Sequence, residues 1–253
     1  LFRSVEIDPL SASIASCLYP EARVRVTAFQ DFAVRHGSFD AAVGNTPFGT
    51  LAPFDALNKD LRGFSIHNYF VAKSLRALAS GGLLAMVVSR HLMDKQFSAE
   101  RRWMTERARL LGAIRLPNNT FAAGAGTSVV ADILFLQRLA PGEDGNPEAW
   151  EDLGKVADAN DGDAIPVNAY FAKHPHMMLG TMQRESSQFK ADEPTLAPVV
   201  GASLADLLAG AIAQLPANVA APALGEGDAA NPVPPETIHV PHWSHFLSAD
   251  GSI

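Results

Sequence analysis

The sequence predicts an α/β fold in which a doubly wound, mostly parallel sheet is followed by a helical and irregular extension. Strand-like and helix-like patterns alternate along residues 1–140, and this alternation stops after Ala140. Hydrophobic residues make up 47% of the 253 residues, which is enough to bury one sizeable core. These observations together favour one α/β domain with an appendage.

The elements of the first 140 residues follow from hydrophobic spacing and from turn residues. Asp8 can cap a helix that has Pro9 in its first position, and Gly81-Gly82 are expected to end a later helix. The predicted strands are 2–7, 23–29, 39–43, 83–88, 112–116 and 128–137. The predicted helices start at Pro9, cover 67–79, and cover 99–110. Because no helix separates the last two strands, we expect a terminal antiparallel hairpin.

The remaining sequence has a different character. Residues 141–163 are acidic and loop-like, residues 167–178 suggest a short helix, and residues 204–215 form an amphipathic helical pattern. Residues 216–235 are rich in Ala, Pro and Gly, which is typical of a linker. We therefore divide the chain into a core (1–140), an acidic and helical extension (141–215) and a linker with a tail (216–253).

The net charge of −7 conceals two segments of opposite sign. Residues 1–140 contain 16 Lys and Arg against 11 Asp and Glu, whereas residues 141–253 contain 4 against 16. A core with a balance of +5 permits contact with phosphate groups without requiring it.

Cysteine content and hydropathy limit the cellular setting. Cys17 is the single cysteine, so no internal disulfide can form and a cytoplasmic, reducing compartment is expected. No run approaches 18 apolar residues, so no membrane span is expected. His239, His242 and His245 recur near the end, but Pro241 lies among them and we expect no metal site.

The most specific motif is Asn45-Thr46-Pro47-Phe48-Gly49, directly after a predicted buried strand. Open α/β sheets bind ligands at the carboxyl ends of their strands. There, an Asn side chain and a backbone carbonyl can accept hydrogen bonds from an exocyclic amine while an aromatic ring stacks on the base. The same residues also suit an ordinary turn, so the motif alone leaves both interpretations open.

Three neighbouring blocks resemble one family in the same order: GFSIHNYFVAKSLRALASGG, LLAMVVSRHLMDK and LLGAIRLPNNTFAAGAGTSVVADILFLQR. With the Asn45 turn, which resembles the Asn-Pro-Pro-Tyr/Phe motif, they look like the adenine-specific (N6) DNA methyltransferase domain of large bacterial and mobile-element proteins, often joined to a helicase. The resemblance covers about residues 1–140 and continues more weakly to about 180. It implies a Rossmann-like class I methyltransferase sheet and a restriction-modification setting.

The resemblance also implies roles for individual residues. Glu6 matches the acidic residue that accepts the ribose hydroxyls of S-adenosyl-L-methionine, and Asp31 the one that accepts its adenine amino group. The expected cofactor-binding set is Glu6, Ile7, Asp31, Phe32 and Asn45. Asn45, Thr46, Pro47 and Phe48 form the expected catalytic set. Phe48 and Phe121 are expected to stack on the two sides of a flipped adenine in DNA.

Two departures from the family's pattern bear on activity. The family's first strand and Gly-rich loop would lie before the strand at Phe2, so we expect a hole in the sheet. The missing loop is then supplied either by the remainder of a larger polypeptide or by another chain. Thr46 replaces the first proline of the motif; it keeps the backbone carbonyl but loses the fixed φ angle. Either departure could leave the isolated chain inactive.

The leading hypothesis is methyl transfer to adenine N6 in DNA by base flipping and direct displacement. The alternatives are a catalytically silent DNA-binding or scaffold module and a methyltransferase acting on protein glutamine or RNA. Two smaller questions stay open. The arginines of the predicted 99–110 helix could contact DNA phosphates or form a solvated face, and Asp132 is expected to be the outward residue of a half-buried strand.

Overall fold

The computed structural model describes residues 3–49, 51–146, 150–186 and 192–219. The strands are β1 (Arg3–Glu6), β2 (Arg23–Val26), β3 (Phe39–Asn45), β4 (Leu78–Ser89), β5 (Ala108–Leu116), β6 (Ala131–Arg138), β7 (Leu153–Val156), β8 (Ile165–Asn168), β9 (Gly180–Glu185) and β10 (Glu193–Pro198). The helices are α1 (Pro9–Leu18), α2 (Ile66–Ala77), α3 (His91–Asp94), α4 (Ala99–Thr105), α5 (Ala122–Ala125), α6 (Ala169–Lys173) and α7 (Leu204–Ile212). None of the helices in these ranges is long and apolar enough to cross a membrane.

The central sheet has the strand order β3-β4-β6-β5. β3 and β4 are parallel, and β6 is antiparallel to both β4 and β5. Three of the four strands therefore run in one direction, and the predicted terminal hairpin is confirmed, with its second strand placed between β4 and β5. This is the expected Rossmann-like α/β architecture.

β1 and β2 form a separate parallel pair. Within the described residues, β1 pairs with β2 alone and β3 pairs with β4 alone, so one edge of each strand has no ladder partner. A strand missing from the sheet, as expected from the sequence, would account for both unpaired edges. The predicted helix start is also confirmed: Asp8 accepts a hydrogen bond from the Ser11 N–H (2.8 Å), and Pro9 begins α1.

The hydrophobic core lies between α2 and the four-stranded sheet and continues into the extension. Tyr69 and Leu75 on α2, Leu84 on β4 and Leu134 on β6 are all fully buried or nearly so. α2 lies between β3 and β4 in the chain. Its apolar residues recur at helical spacing, whereas those of β4 follow the two-residue period of a strand.

The prediction that Asp132 faces outward is wrong. Asp132 is fully buried and lies directly opposite Arg115 of β5, which donates to its two carboxylate oxygens at 2.8 and 2.9 Å. Arg115 also donates to Asp94 (2.9 Å). Although burial alone would lower the pKa of Arg115, the charges of Asp132 and Asp94 raise it above its usual range.

The extension packs on this ion cluster. Asn168 donates its backbone N–H to Asp94 (2.9 Å), and its side-chain amide donates to the carbonyls of Met93 and Trp150. The ring of Phe171 lies 4.3 Å from the Arg115 guanidinium. The region from residue 150 to 178 is therefore fixed to the sheet by buried polar contacts.

Several element boundaries differ from the predictions. The helix predicted over 99–110 ends at Thr105, because the residues from Ala108 onward enter β5. β4 begins at Leu78, before the glycine pair, and Gly81 adopts a φ of +78° within it. The stretch 141–163, predicted as loop, contains β7, and the hairpin β9–β10 was not predicted. α7 is confirmed, whereas most of the predicted linker and tail (216–253) lies outside the described residues.

Candidate functional site

The Asn45–Gly49 turn lies at the carboxyl end of β3, an edge strand of the central sheet. Asn45 is the last residue of β3, where it pairs with Val87 of β4, and it is exposed. In an open α/β sheet this is the edge at which ligands bind. The structure thus leaves the Asn45 amide at a position that a ligand can reach.

Thr46 is held by hydrogen bonds in place of a proline ring. It is buried, and both its backbone N–H and its hydroxyl donate to the Val87 carbonyl, each at 3.0 Å. A proline has no N–H and could make neither bond. The two bonds restrain the turn that the family's proline would restrain through its fixed φ angle.

Phe48 lines a cleft of about 420 Å³. Phe48 is 46% exposed. The other walls come from the ends of β4 and β5, the start of β6 and the β9–β10 hairpin: Ser89, Arg90, His91, Asn118, Ser128, Val129, Val130, Glu185, Glu193, Pro194 and Thr195. The cleft therefore combines one aromatic ring with walls of mixed polar and apolar character, a combination suited to a flat ligand with polar edges.

The β9–β10 hairpin is tied to this cleft by specific contacts. The Asn118 side-chain amide donates to the Thr195 hydroxyl (3.1 Å), and the Asn118 N–H donates to the Leu196 carbonyl (2.9 Å). Arg90 donates to Glu193 at 3.3 Å. The sequence did not predict this hairpin, because its two strands are short, contain two prolines and have one buried residue each, Met182 and Leu196, which lie opposite each other.

Glu6 and Ile7 lie at the carboxyl end of β1. The Glu6 carboxylate accepts the Asp8 N–H (3.0 Å), and the Glu6 carbonyl accepts the Thr27 N–H (3.0 Å), which extends the pairing with β2. Ile7 is exposed. Glu6 is thus fixed at a strand end, half-buried, beside the start of α1.

Asp31 and Phe32 lie in the segment after β2. Asp31 is exposed and ends a one-turn 3-10 helix, Phe29–Asp31, and the half-buried Phe32 caps that turn. Phe29 anchors the segment, since its ring packs 4.7 Å from Phe70 and 6.2 Å from Tyr69, both on α2. The structure therefore places a carboxylate after each of two adjacent parallel strands.

Phe121 and the four arginines of the predicted 99–110 helix (Arg101, Arg102, Arg107 and Arg109) have other surroundings. Phe121 is half-buried, precedes α5 and packs partly against the core. Arg101 is buried and donates to backbone carbonyls. Both sequence-based alternatives, a solvated face and a phosphate contact, are therefore wrong for this residue. The other three pair with acidic residues of the chain: Arg102 with Glu151, Arg107 with Glu106 and Arg109 with Glu143.

Comparison with known proteins gives one sequence relative and several structural likenesses. No family model matches the chain. Over 139 residues it is 31% identical to the defense against restriction protein B of Escherichia phage P1, a match that covers 53% of this chain and 6% of that protein. The chain thus spans a small fraction of the length of that relative.

Two solved structures show partial likeness. A protein described as the modification subunit of a type I restriction enzyme from Vibrio vulnificus YJ016 is 19% identical, with a TM-score of 0.46 over 54% of this chain and 32% of its own. A protein described as a class I S-adenosylmethionine-dependent methyltransferase from Listeria monocytogenes is 17% identical, with a TM-score of 0.46 over 56% of this chain and 46% of its own. At TM-scores below 0.5, neither carries an argument about this chain.

Proposed function

We propose that this chain forms the catalytic part of a methyltransferase that uses S-adenosyl-L-methionine to methylate the N6 amine of a flipped adenine in DNA. The observation that carries the proposal is the Asn45–Gly49 turn: an exposed amide at the carboxyl end of β3, followed three residues later by an aromatic ring on an open cleft. Resemblance of the surrounding sequence blocks to adenine-specific enzymes supports the choice of base.

Asn45 and Thr46 would hold the target amine. The Asn45 side-chain oxygen and the Thr46 carbonyl accept the two N–H bonds of the amine, which draws the nitrogen lone pair out of conjugation with the ring. Phe48 stacks on the extruded base and offsets part of the cost of unstacking it. The amine nitrogen would then form its bond to the donor's methyl carbon as the methyl–sulfur bond breaks, so that S-adenosyl-L-homocysteine leaves as a neutral thioether. No covalent enzyme intermediate is needed, and the proton that the nitrogen loses passes to solvent.

The carboxylates fit the adenosine half of S-adenosyl-L-methionine. Glu6 and Asp31 follow adjacent parallel strands, and a carboxylate at such a position accepts hydrogen bonds from ribose hydroxyls or from an adenine amino group. When bound, S-adenosyl-L-methionine supplies an electrophilic methyl group on a sulfonium sulfur. Ile7 and Phe32 would contribute apolar contact beside these carboxylates.

The remainder of a larger polypeptide would complete the sheet and the cofactor site. Support comes from the edges of β1 and β3 that have no ladder partner among the described residues, and from the exposed apolar residues Ile7 and Val43 on or next to these strands. One further apolar strand, followed by a glycine-rich turn, would pair with both edges and bring backbone N–H groups towards the methionine end.

A second candidate is a catalytically silent DNA-binding module, which the open edges of the described sheet favour. Methylation of protein glutamine or RNA would use the same turn. The test is transfer of a labelled methyl group by the complete protein that carries this chain, offered DNA, RNA and protein substrates separately.

Variants at the turn sharpen this test. Asn45→Ala should lower kcat for DNA by about a hundredfold or more, because it removes an acceptor needed as charge develops on the amine. Phe48→Ala should lower kcat/KM by about tenfold through lost stacking. Phe97→Ala, an exposed phenylalanine outside the cleft, should change neither parameter. Wild-type kinetics in Asn45→Ala, or transfer to RNA or protein but not to DNA, would overturn the proposal.

A further inference from the structure

A buried ion pair joins the segment that ends at Asp31 to the loop that follows the Asn45–Gly49 turn. Lys73 of α2 and Asp55 of the loop after β3 contact each other at 2.9 Å, and their side chains are 1% and 2% exposed. The proposed mechanism gives neither residue a part. Charged groups removed from water are costly to keep, so a buried pair of this kind needs an explanation.

Lys73 also holds the segment after β2. Its ammonium donates to the Phe29 carbonyl (2.6 Å) and to the Gln30 carbonyl (3.3 Å), in the one-turn helix that ends at Asp31. With Asp55 these make three acceptors, and only the charged ammonium has three N–H bonds to give. The pKa of Lys73 is lowered by burial, which Asp55 opposes.

Asp55 organises the loop that follows Phe48. It accepts hydrogen bonds from the backbone N–H groups of Leu57 and Asn58, from the Asn58 side chain and from the Tyr69 hydroxyl (2.6 Å). Burial alone would raise the pKa of Asp55, but the bonds from Tyr69, Lys73 and Asn58 lower it below its usual value. The carboxylate is thus ionised at neutral pH and saturated with donors.

We propose that Lys73 is a positioning residue that fixes the Asp31 segment and the loop after Phe48 at a set distance from each other, by anchoring both to α2. The inference rests on the proposed function, because the first loop would hold the methyl donor and the second would follow the target base. Replacing a buried ion pair with apolar groups often leaves stability unchanged. We therefore attribute the presence of this pair to the geometry that it imposes on the two loops, and not to a gain in stability. Small displacements of reacting groups cost rate steeply.

Arg101 provides a matched control. It is also a buried cation on a helix, 2% exposed, and it donates to the carbonyls of Leu92 (3.0 Å), Met93 (2.8 Å) and Glu151 (2.6 Å). None of these residues belongs to either loop. Loss of Arg101 should therefore reproduce the general cost of removing a buried cation without moving the two loops.

The experiment compares Lys73→Met, Asp55→Asn and Arg101→Met in the complete protein. Binding of S-adenosyl-L-methionine is titrated by calorimetry, and amide hydrogen exchange is followed over residues 27–32 and 55–58. We expect Lys73→Met to weaken donor binding by about tenfold and to speed exchange in both loops. Asp55→Asn should also weaken donor binding severalfold, although Asp55 makes its backbone contacts in the other loop. Arg101→Met should change donor binding less than about twofold at temperatures where it stays folded.

The outcomes separate the two proposals. Donor binding that changes equally in Lys73→Met and Arg101→Met, or that Asp55→Asn leaves unaltered, would overturn the positioning role. Should Lys73→Met not fold, Asp55→Asn is compared with Tyr69→Phe, because Asp55 reaches the Asp31 segment through Lys73 and also through Tyr69, whose ring packs on Phe29. Donor binding that is weakened in Asp55→Asn and unchanged in Tyr69→Phe supports the role of Lys73, and equal weakening in the two variants overturns it. A wild-type protein that binds the donor but does not methylate DNA would contradict the proposed substrate and leave the positioning result standing. A wild-type protein that binds no donor would overturn both.

Discussion

The region up to Leu57 and the region after it differ in how far their apolar side chains are buried. Eleven of the fifteen large apolar residues that are exposed in the described chain lie between Ile7 and Leu57, whereas nearly all of the buried core begins at Leu61. α1 and α2 illustrate this. Leu10, Ile14 and Leu18 form a stripe at helical spacing on α1 that faces solvent, while the corresponding residues of α2 are buried.

The comparison teaches that helical and strand patterns alone do not make a core. The later region has a complete set of layers: α2 covers the sheet, and the extension adds buried contacts through Asn168 and Phe171. The earlier region has the patterns of a buried layer, but no neighbour within the described part of the chain covers it. Contiguous exposed apolar surface of this kind marks a place where another element packs.

The largest expected effect contrasts two aspartates on strands of the same sheet. Asp132→Ala should lower the free energy of unfolding by about 3–5 kcal/mol, because it leaves Arg115 buried without its main partner. Asp40→Ala, on exposed β3, should change it by less than about 0.5 kcal/mol. Urea denaturation of both variants checks the contrast. Equal losses would mean that the edge strand β3 is as well covered as the interior strand β6.

The next effect compares leucines on α1 and α2. Leu75→Ala should cost about 2–5 kcal/mol, because the side chain is fully buried and its removal leaves a cavity. Leu10→Ala, 69% exposed, should cost less than about 0.5 kcal/mol in the 253-residue chain.

The same Leu10 variant tests whether further elements cover α1. In the complete protein, Leu10→Ala should become more costly than in the 253-residue chain, if the proposed strand and its neighbours pack on this region. Thermal denaturation of both forms measures the difference. An identical, small cost in both forms would show that the stripe on α1 stays in solvent.

Local patterns predicted the early elements and the position of the candidate turn. The Asp8 cap, the alternation of strands and helices and the turn after β3 depend on residues close together in sequence, and the structure confirms them as elements. The residue roles proposed at the turn remain predictions. The expected hole in the sheet followed from family resemblance, not from any local pattern.

The features that sequence reasoning missed depend on distant partners. Asp132 was predicted to face outward because alternation cannot distinguish a solvated carboxylate from one paired with Arg115 on the adjacent strand. The sequence did not indicate the role of Lys73, because its hydrogen-bond partner Phe29 is 44 positions away along the chain. β7 to β10 are four to six residues long, too short for a clear period, and they are stabilised by contacts with the sheet.

The smallest expected effect concerns pH and belongs to the well-covered region. His67 of α2 is buried, and burial lowers the pKa of its ring below the usual 6.5. Protonation therefore favours the unfolded chain, in which the ring is solvated, so the contribution of His67 is complete above pH 6.5 and declines as the pH falls below it. His67→Gln should make the free energy of unfolding fall less steeply between about pH 7 and pH 5 than it does in the wild type. Equal slopes in urea titrations of the two proteins would show that the ring is not shielded from water, and that α2 is no better covered at its start than α1 is.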